Sequence, residues 1–324
     1  MKSAVLKDLK VSIVETKKPS LDSKGAIIKV LGCGLCGSDI VKIKHATKEN
    51  ESNIKLGHEV VGEIVEVDTN TSYKKGDIVA LGHHYPCFNC DYCRIGAYSM
   101  CQTFKNSNIS PCGFSEYIKV DENHLKYTVY SVPDNLEYEE AAFLEPLACV
   151  VRAIRRARYE LNSDNTKSNA LVLGLGSIGF ITVQALKAFG VNAYGFDINK
   201  ERSDFALKYG IEYKKDIYDT IFMTSGSSKA IPTALEHVRN GGKIIVFSSI
   251  ENEEGYKNND IYYRELSIIA SYSPSPKDYE ISYKLLCDKK VKVNGVSTIY
   301  TLDNLASAVE DIICGKIFKA YIKI

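Results

Sequence analysis

The chain has 324 residues, 45% hydrophobic and 25% charged, and its 41 Lys+Arg against 40 Asp+Glu leave a formal charge of +1. That length suits about two globular domains, and the balanced charge gives no basis for expecting nucleic acid or an anionic membrane as a partner. No run approaches the roughly 18 apolar residues of a membrane span, and residues 1–10 alternate charge with apolarity where an export signal would carry an apolar block. The 10 cysteines are therefore expected to be thiols or metal ligands of a cytoplasmic protein rather than disulfides.

Up to about residue 121 the sequence reads as short strands, with β-rich runs at 26–31, 60–67 and 77–81 and with Gly57, Gly62 and Gly76 where tight turns are needed. The expectation is a β-rich, barrel-like domain that carries its chemistry on loops. Within it, Gly34-Leu35-Cys36-Gly37-Ser38-Asp39 and Gly57-His58-Glu59 supply a thiolate, an imidazole and carboxylates, with the Ser38 hydroxyl two residues past the thiolate. This mix of soft and borderline donors suits zinc, and three protein ligands leave the open position of a catalytic site. The third ligand has to come from elsewhere. Glu145, an acid inside the apolar run 143–147, is the candidate and Cys149 its rival.

Cys87, Cys90 and Cys93 form two overlapping CxxC units, and Cys101 returns after seven further residues. Four thiolates close a tetrahedral zinc shell and leave no room for water, which is the structural type. An iron–sulfur cluster uses similar spacing, but no further cysteine motif accompanies this one, so zinc is expected. His83 and His84 flank this lobe and read as structural. His45 reads as a surface residue, and Cys33 and Cys149 as small buried hydrophobes.

After Pro133 the pattern turns helical. Residues 137–159 are rich in helix formers, and Pro146 is expected to divide them, giving a second helix over 147–159 that ends in Arg152, Arg155, Arg156 and Arg158. A polar linker at 162–169 follows. Strands at 170–173, 193–196, 221–224, 243–247 and 266–270 then alternate with helical stretches, the first over 178–189. That alternation predicts a parallel, doubly wound α/β sheet. Leu305, Ala308, Val309 and Ile312 mark one more amphipathic helix, stopped by Gly315, and 320–324 is a closing strand that returns to the first domain.

Gly174-Leu175-Gly176-Ser177-Ile178-Gly179 follows the first of these strands and opens a helix. Alone GxGxxG is weak; in this context it is the arrangement that binds a dinucleotide. The first glycine permits the tight turn, the second lets backbone approach a pyrophosphate, and the third allows close packing at a helix N-terminus that favours phosphate. Asp197, 18 positions past Gly179, is placed to accept ribose hydroxyls and repel a 2′-phosphate, so NAD is expected over NADP. Lys200 and Arg202 nearby weaken that preference.

CGSD, GHE, CxxCxxC with a later Cys, EPL and GLGSIG, in that order over essentially the whole chain, resemble the zinc-dependent medium-chain dehydrogenase/reductase family. The EPL segment resembles its polyol branch, which includes sorbitol and threonine dehydrogenases. The resemblance implies a GroES-like catalytic domain over 1–148 with 285–324, a zinc lobe at about 83–102, and a Rossmann NAD-binding domain over 149–284. It implies two zinc ions per chain, the catalytic one on Cys36, His58 and Glu145 and the structural one on Cys87, Cys90, Cys93 and Cys101. Glu59 matches a residue that binds the metal in some relatives and stands behind it in others. Asp39 matches the acid that orients the ligand histidine, and Ser38 the hydroxyl that takes the substrate proton. A homodimer or homotetramer is implied, with 266–270 as a pairing edge by fold-level analogy. The polyol pattern carries histidine two residues after the CGSD aspartate, where this chain has Val41.

The activity implied is hydride transfer between an alcohol or polyol and NAD, giving a ketone or aldehyde, with zinc as Lewis acid. A biosynthetic reductase of a sugar- or cyclitol-type ketone would use the same site. A zinc- and NAD-binding protein without turnover is the non-enzymatic alternative, against which stand the complete ligand set and Ser38.

Overall fold

A computed structural model describes residues 1–22, 24–68, 71–250 and 255–324. Met1–Pro146, Ser275–Cys287 and Val293–Ile324 form one unit; Leu147–Pro274 and Asp288–Lys292 form the other. The first begins with an antiparallel hairpin, β1 (Lys2–Lys7) and β2 (Lys10–Glu15). Its main sheet is built around β3 (Gly25–Leu35), a strand buried at nearly every position. Antiparallel to β3 runs β4 (Glu59–Val67), followed by β5 (Ile78–Leu81) beside β4, β6 (Tyr117–Asp121) beside the first half of β3, and β7 (Val129–Ser131) beside β5. Ile28, Ile64, Val79, Leu81, Phe114 and Ile118 share its core. Gly57 and Gly76 do take left-handed backbone, at φ 79° and 94°. Gly62 does not mark a turn; it lies inside β4, where a Cβ would come within 2.5 Å of the Ile28 side chain and 2.6 Å of the Lys29 carbonyl.

The helical stretch after Pro133 is broken as expected, but earlier. One helix covers Tyr138–Ala141 and the next Leu144–Arg156. Pro146 stands in the first turn of the second helix, where its missing N–H costs no hydrogen bond, while its ring disfavours continuation from the preceding turn.

The second unit is a parallel sheet of β8 (Asn169–Leu173), β9 (Asn192–Phe196), β10 (Tyr218–Met223), β11 (Val238–Val246) and β12 (Ser267–Ala270), in the order β12-β11-β10-β8-β9. The helices Ser177–Ala188, Lys200–Leu207, Ala230–His237 and Asn258–Arg264 connect successive strands. Strand order reverses at β8, with β9 on one side and β10 on the other. In such sheets ligands bind outside the carboxyl ends of the strands at that reversal.

The chain then returns to the first sheet. β13 (Ser297–Thr301) runs parallel to β14 (Lys319–Lys323), and β14 pairs antiparallel with the second half of β3, Tyr321 opposite Gly34. The helix Leu305–Ile313 between them ends before Gly315, whose φ of 70° is the usual left-handed stop. The pairing path β13-β14-β3-β4-β5-β7 is open among the described residues, not a closed barrel. The helix Pro276–Cys287 groups with this unit, although the sequence reading assigns 275–284 to the nucleotide domain. Tyr279, 1% exposed, fills the space beside Gly82, and Ser282 Oγ donates to the Leu144 carbonyl at 2.8 Å. Tyr279→Ala is expected to lower the unfolding free energy by about 3–5 kcal/mol, the usual cost of emptying a buried aromatic site. Urea unfolding checks this; a loss below about 1 kcal/mol would contradict the packing.

Candidate functional site

Where β3 ends, Cys36 caps the helix Gly37–Lys44. Its Sγ lies 3.5 Å from the Ser38 N–H, and Asp39, one turn in, accepts from the Cys36 N–H at 3.2 Å. The reciprocal arrangement fixes the sulfur at the positive end of the helix. Asp39 has no exposed surface and reaches the other loop, accepting from the Gly57 N–H at 3.0 Å and facing His58 Nδ1 at 3.5 Å. Burial would raise the Asp39 pKa, but His58, Lys42 and the Gly57 N–H outweigh it and hold it below the ordinary carboxylate value. Burial likewise lowers that of His58, and the Asp39 and Cys36 charges overcome it to raise it.

Donor atoms of Cys36, His58 and Glu59 all lie within 4.8 Å of one another. Glu59, 1% exposed, opens β4. It crosses the space that a side chain at Gly34 would need, a Cβ there falling 1.9 Å from Glu59 Oε2. Lys319, 5% exposed on β14, donates to Glu59 Oε1 at 2.6 Å. Glu59 Oε2 is 2.5 Å from the same ammonium, yet is buried without a hydrogen bond of its own. Burial depresses the Lys319 pKa, but Glu59, Cys36 and Glu145 together hold it above the ordinary lysine value. Glu145, the expected third donor, is buried on the first turn of Leu144–Arg156 and is not in the gathered set; its charge acts on Lys319. Nor is Cys149, which belongs to the other unit. A thiol, an imidazole and a carboxylate gathered in this way are donor chemistry that fits zinc.

Ser38 is exposed on the first helical turn, with Val41 and His45 exposed farther along the helix. Cys33 is fully buried, and burial with the Glu59 and Asp39 charges raises its thiol pKa well above the ordinary value. His83 does not belong to the cysteine lobe alone. Its ring centroid is 4.7 Å from that of His58 and 4.1 Å from that of His84. Burial, then the neighbouring histidines and Lys42, pull the His83 pKa well below the usual value and, with Lys55, that of His84 to about 3.

The four lobe thiols converge, with Sγ–Sγ separations of 3.5 Å (Cys87–Cys101), 3.6 Å (Cys90–Cys93) and 3.9 Å (Cys87–Cys93). All four donor atoms lie within 4.8 Å of one another. The Cys87 N–H points at Cys101 Sγ and the Asn89 N–H at Cys87 Sγ, at 3.4 and 3.5 Å. Such donors favour thiolates: against the effect of burial, the Cys101 pKa falls to about 6. The set fits a closed tetrahedral zinc shell.

In the second unit the glycine motif joins β8 to the helix Ser177–Ala188. Gly174 has φ 97°, and Gly179 packs so closely that a Cβ would lie 1.7 Å from the Gly174 carbonyl. At Gly176 the nearest atom to a Cβ is Arg202 Nη1, 4.0 Å away, which leaves the backbone of Gly176, Ser177 and Ile178 accessible at the helix N-terminus. Asp197, just past β9, accepts from the Leu175 N–H at 2.6 Å and the Asn199 N–H at 2.8 Å, with Arg202 Nη1 at 3.7 Å. It therefore ties the glycine loop to the end of β9.

Lys319 and the placement of His83 escape a sequence reading. Nothing distinguishes Lys319 from Lys323 on the same strand face, and His83 adjoins the cysteine motif more closely in sequence than it adjoins His58.

The chain matches the alcohol dehydrogenase GroES-like domain over residues 22–134 and the zinc-binding dehydrogenase domain over residues 177–287. It is 30% identical to sorbitol dehydrogenase of Bacillus subtilis, over 96% of this chain and 93% of the relative. It is 28% identical to D-arabitol-phosphate dehydrogenase of Enterococcus avium, over 97% and 94%. The crystal structure of galactitol-1-phosphate dehydrogenase from Escherichia coli superposes with a TM-score of 0.85 at 25% identity, covering 100% of both chains. The chain belongs to the zinc-dependent medium-chain dehydrogenase/reductase family. It is an oxidoreductase that interconverts an alcohol and a carbonyl compound with a nicotinamide cofactor.

Gly179→Ala is expected to weaken NADH binding by roughly tenfold or more, about 1.4 kcal/mol, because the added carbon must displace the Gly174 carbonyl. Fluorescence titration reads this; unchanged affinity would remove the close packing from the account of the site.

Proposed function

We propose that this enzyme interconverts an open-chain polyol and its ketose, using zinc on Cys36, His58 and a carboxylate, with NAD bound at Gly174–Gly179 and Asp197. The gathering of the Cys36, His58 and Glu59 donors within 4.8 Å, beside the exposed Ser38, carries the reading. The polyol class is supported by relatives named sorbitol dehydrogenase and D-arabitol-phosphate dehydrogenase.

When bound, zinc supplies Lewis-acid polarisation of the substrate hydroxyl and the nicotinamide accepts hydride. The chain's own part is positional. Asp39 fixes the ring of His58 and ties its loop to that of Cys36. Lys319 balances Glu59, so the site's excess of anionic groups is partly compensated before metal and substrate arrive. Ser38 Oγ moves the proton between the substrate hydroxyl and solvent; because Ser38 is itself exposed, no histidine at position 41 is required. Cys87, Cys90, Cys93 and Cys101 hold a second, structural zinc. Asp197 accepts the ribose hydroxyls of NAD. A homodimer or homotetramer paired through the edge strand β12 and a reducing, cytoplasmic setting complete the proposal. Among the described residues, no helix is long and apolar enough to cross a membrane.

Purified protein is expected to carry two zinc ions per chain, one per donor group, measured by elemental analysis. Cys36→Ser should retain one and lose turnover, whereas Cys90→Ser should lose the other together with stability. Glu59→Gln is expected to lose the first zinc, and Glu145→Gln to keep it at reduced activity; the reverse would place Glu145 on the metal and Glu59 behind it. Failure of Cys36→Ser to alter either metal content or turnover would sink the catalytic assignment.

Asp197 also predicts cofactor preference. kcat/KM with NAD should exceed that with NADP by roughly tenfold or more, and Asp197→Ala should narrow the ratio, since removing the acid leaves Arg202 to meet a 2′-phosphate. Equal use of both cofactors by the unaltered enzyme would contradict the role given to Asp197.

A further inference from the structure

Of the groups that meet Asp39, Lys42 is the one that also faces solvent. Its side chain is 44% exposed, whereas that of Asp39 has no exposed surface. Lysine ends in a mobile ammonium on a flexible stem, but here the head is held: Nζ donates to the Lys55 carbonyl at 3.1 Å and stands 3.9 Å from Asp39 Oδ1. An ammonium carries three N–H donors, and the bond to Lys55 is the one hydrogen bond it makes among the described residues. Asp39 is already engaged, accepting from the N–H groups of Cys36 and Gly57 and facing His58. Lys42 is thus a positioned, accessible cation with donors to spare.

Its place relative to the chemistry follows from the helix Gly37–Lys44. Ser38, the exposed hydroxyl that meets the reacting group, lies four residues before Lys42. Positions i and i+4 are neighbours on one helix face, with Cβ atoms about 5–6 Å apart. A second cation belongs to the same surface. The Lys55 side chain is exposed, its carbonyl is bound to Lys42, and the charges of both lysines reach the His84 ring. Two acids on adjoining segments are taken elsewhere, since Asp8 and Glu51 both pair with Lys48.

We propose that Lys42, assisted by Lys55, is a phosphate-binding residue, and that the enzyme acts on phosphorylated open-chain polyols in preference to free ones. The proposal rests on the polyol reading above and adds to it the substrate class. A phosphate monoester carries about −1.5 to −2 charges at pH 7, which two ammonium groups from separate segments match; the single charge of a sugar-acid carboxylate needs only one. Lysine recognises phosphate as a point charge, so the site demands proximity rather than a fixed fork of donors. An open-chain polyol is long enough to set one hydroxyl at Ser38 and its terminal phosphate a helical turn away.

The test uses the full-length, zinc-loaded enzyme with NAD, and compares sorbitol, xylitol, D-arabitol and galactitol with their terminal phosphates and with aldonates of equal chain length. Zinc content and NADH affinity report whether each variant is correctly assembled. The unaltered enzyme is expected to favour the best polyol phosphate over the same free polyol by roughly tenfold or more in kcat/KM, the scale of a charge-assisted hydrogen bond, and to lose part of that preference as salt rises. Lys42→Met should lower the phosphate-to-free ratio by roughly tenfold or more, chiefly through KM. Lys55→Met should lower it less, and Lys42→Arg should keep most of it. Inorganic phosphate should compete with the polyol phosphate and do so less well in Lys42→Met. A ratio near one in the unaltered enzyme overturns the proposal, as does equal use of aldonates and phosphates. So does a Lys42→Met loss that falls equally on free and phosphorylated polyols, which would make Lys42 only a brace between helix and loop. If no polyol of any class is oxidised by enzyme that holds zinc and NADH, the polyol reading fails first. If free polyols are used and their phosphates are not preferred, the phosphate site alone is at fault.

Discussion

A single buried carboxylate governs the metal-binding half of this enzyme. Asp39 is wholly inside the protein, and a carboxylate there is tolerated only when its charge is met. It is met by the N–H groups of Cys36 and Gly57, by the His58 ring and by Lys42. Those partners come from two loops, one following β3 and one preceding β4. The same hydrogen bonds that satisfy Asp39 therefore set the separation between the thiol and the imidazole. Gly57, whose N–H donates to Asp39, takes left-handed backbone immediately before His58.

A second layer of charge surrounds this pair. Cys36, Glu59 and Glu145 all bear on Lys319, so anionic groups outnumber the one ammonium. A buried Lys–Glu pair is weak as a device for stability, because desolvation offsets most of the attraction. Its value here lies in balance: one cation offsets part of the repulsion among the carboxylates. Gly34 makes the arrangement possible by being absent as a side chain. Glu59 lies across it to reach the neighbouring strand.

Much of this was legible in the residues. Strand–helix alternation after residue 170 defined the parallel sheet, because each strand and helix there is built from local periodicity. Cys36 and His58 stood out because their ligand chemistry is carried by residue type. The open first sheet was harder: Gly62 looks like a turn in a linear reading, and only the approach of Ile28 and Lys29 from the next strand shows why it lacks a side chain. Pro146 was read as the break with the second helix starting at Leu147, whereas that helix begins three residues earlier, at Leu144, and takes Pro146 into its first turn. Lys319 was invisible for a different reason. Whether a lysine faces solvent or a buried acid is decided by which strand lies beside it, and β14 meets β3 only after the whole nucleotide-binding unit intervenes. His83 was assigned to the cysteine lobe because sequence distance stood in for spatial distance.

The pairing of Glu59 with Lys319 spans 260 positions, and it sets an order of events during synthesis. A ribosome adding about 5–20 residues per second needs on the order of tens of seconds to travel from one to the other. In that interval Leu147–Pro274 emerges with all five strands of its own sheet and can fold as a unit. The earlier sheet waits with its acid uncompensated and the partner edge of β3 bare. The nascent chain thus passes through a stage in which the nucleotide-binding half is complete and the metal-binding half is an unfinished, anionic, edge-exposed sheet. That stage, rather than the finished protein, is where this architecture is most open to mispairing with another chain.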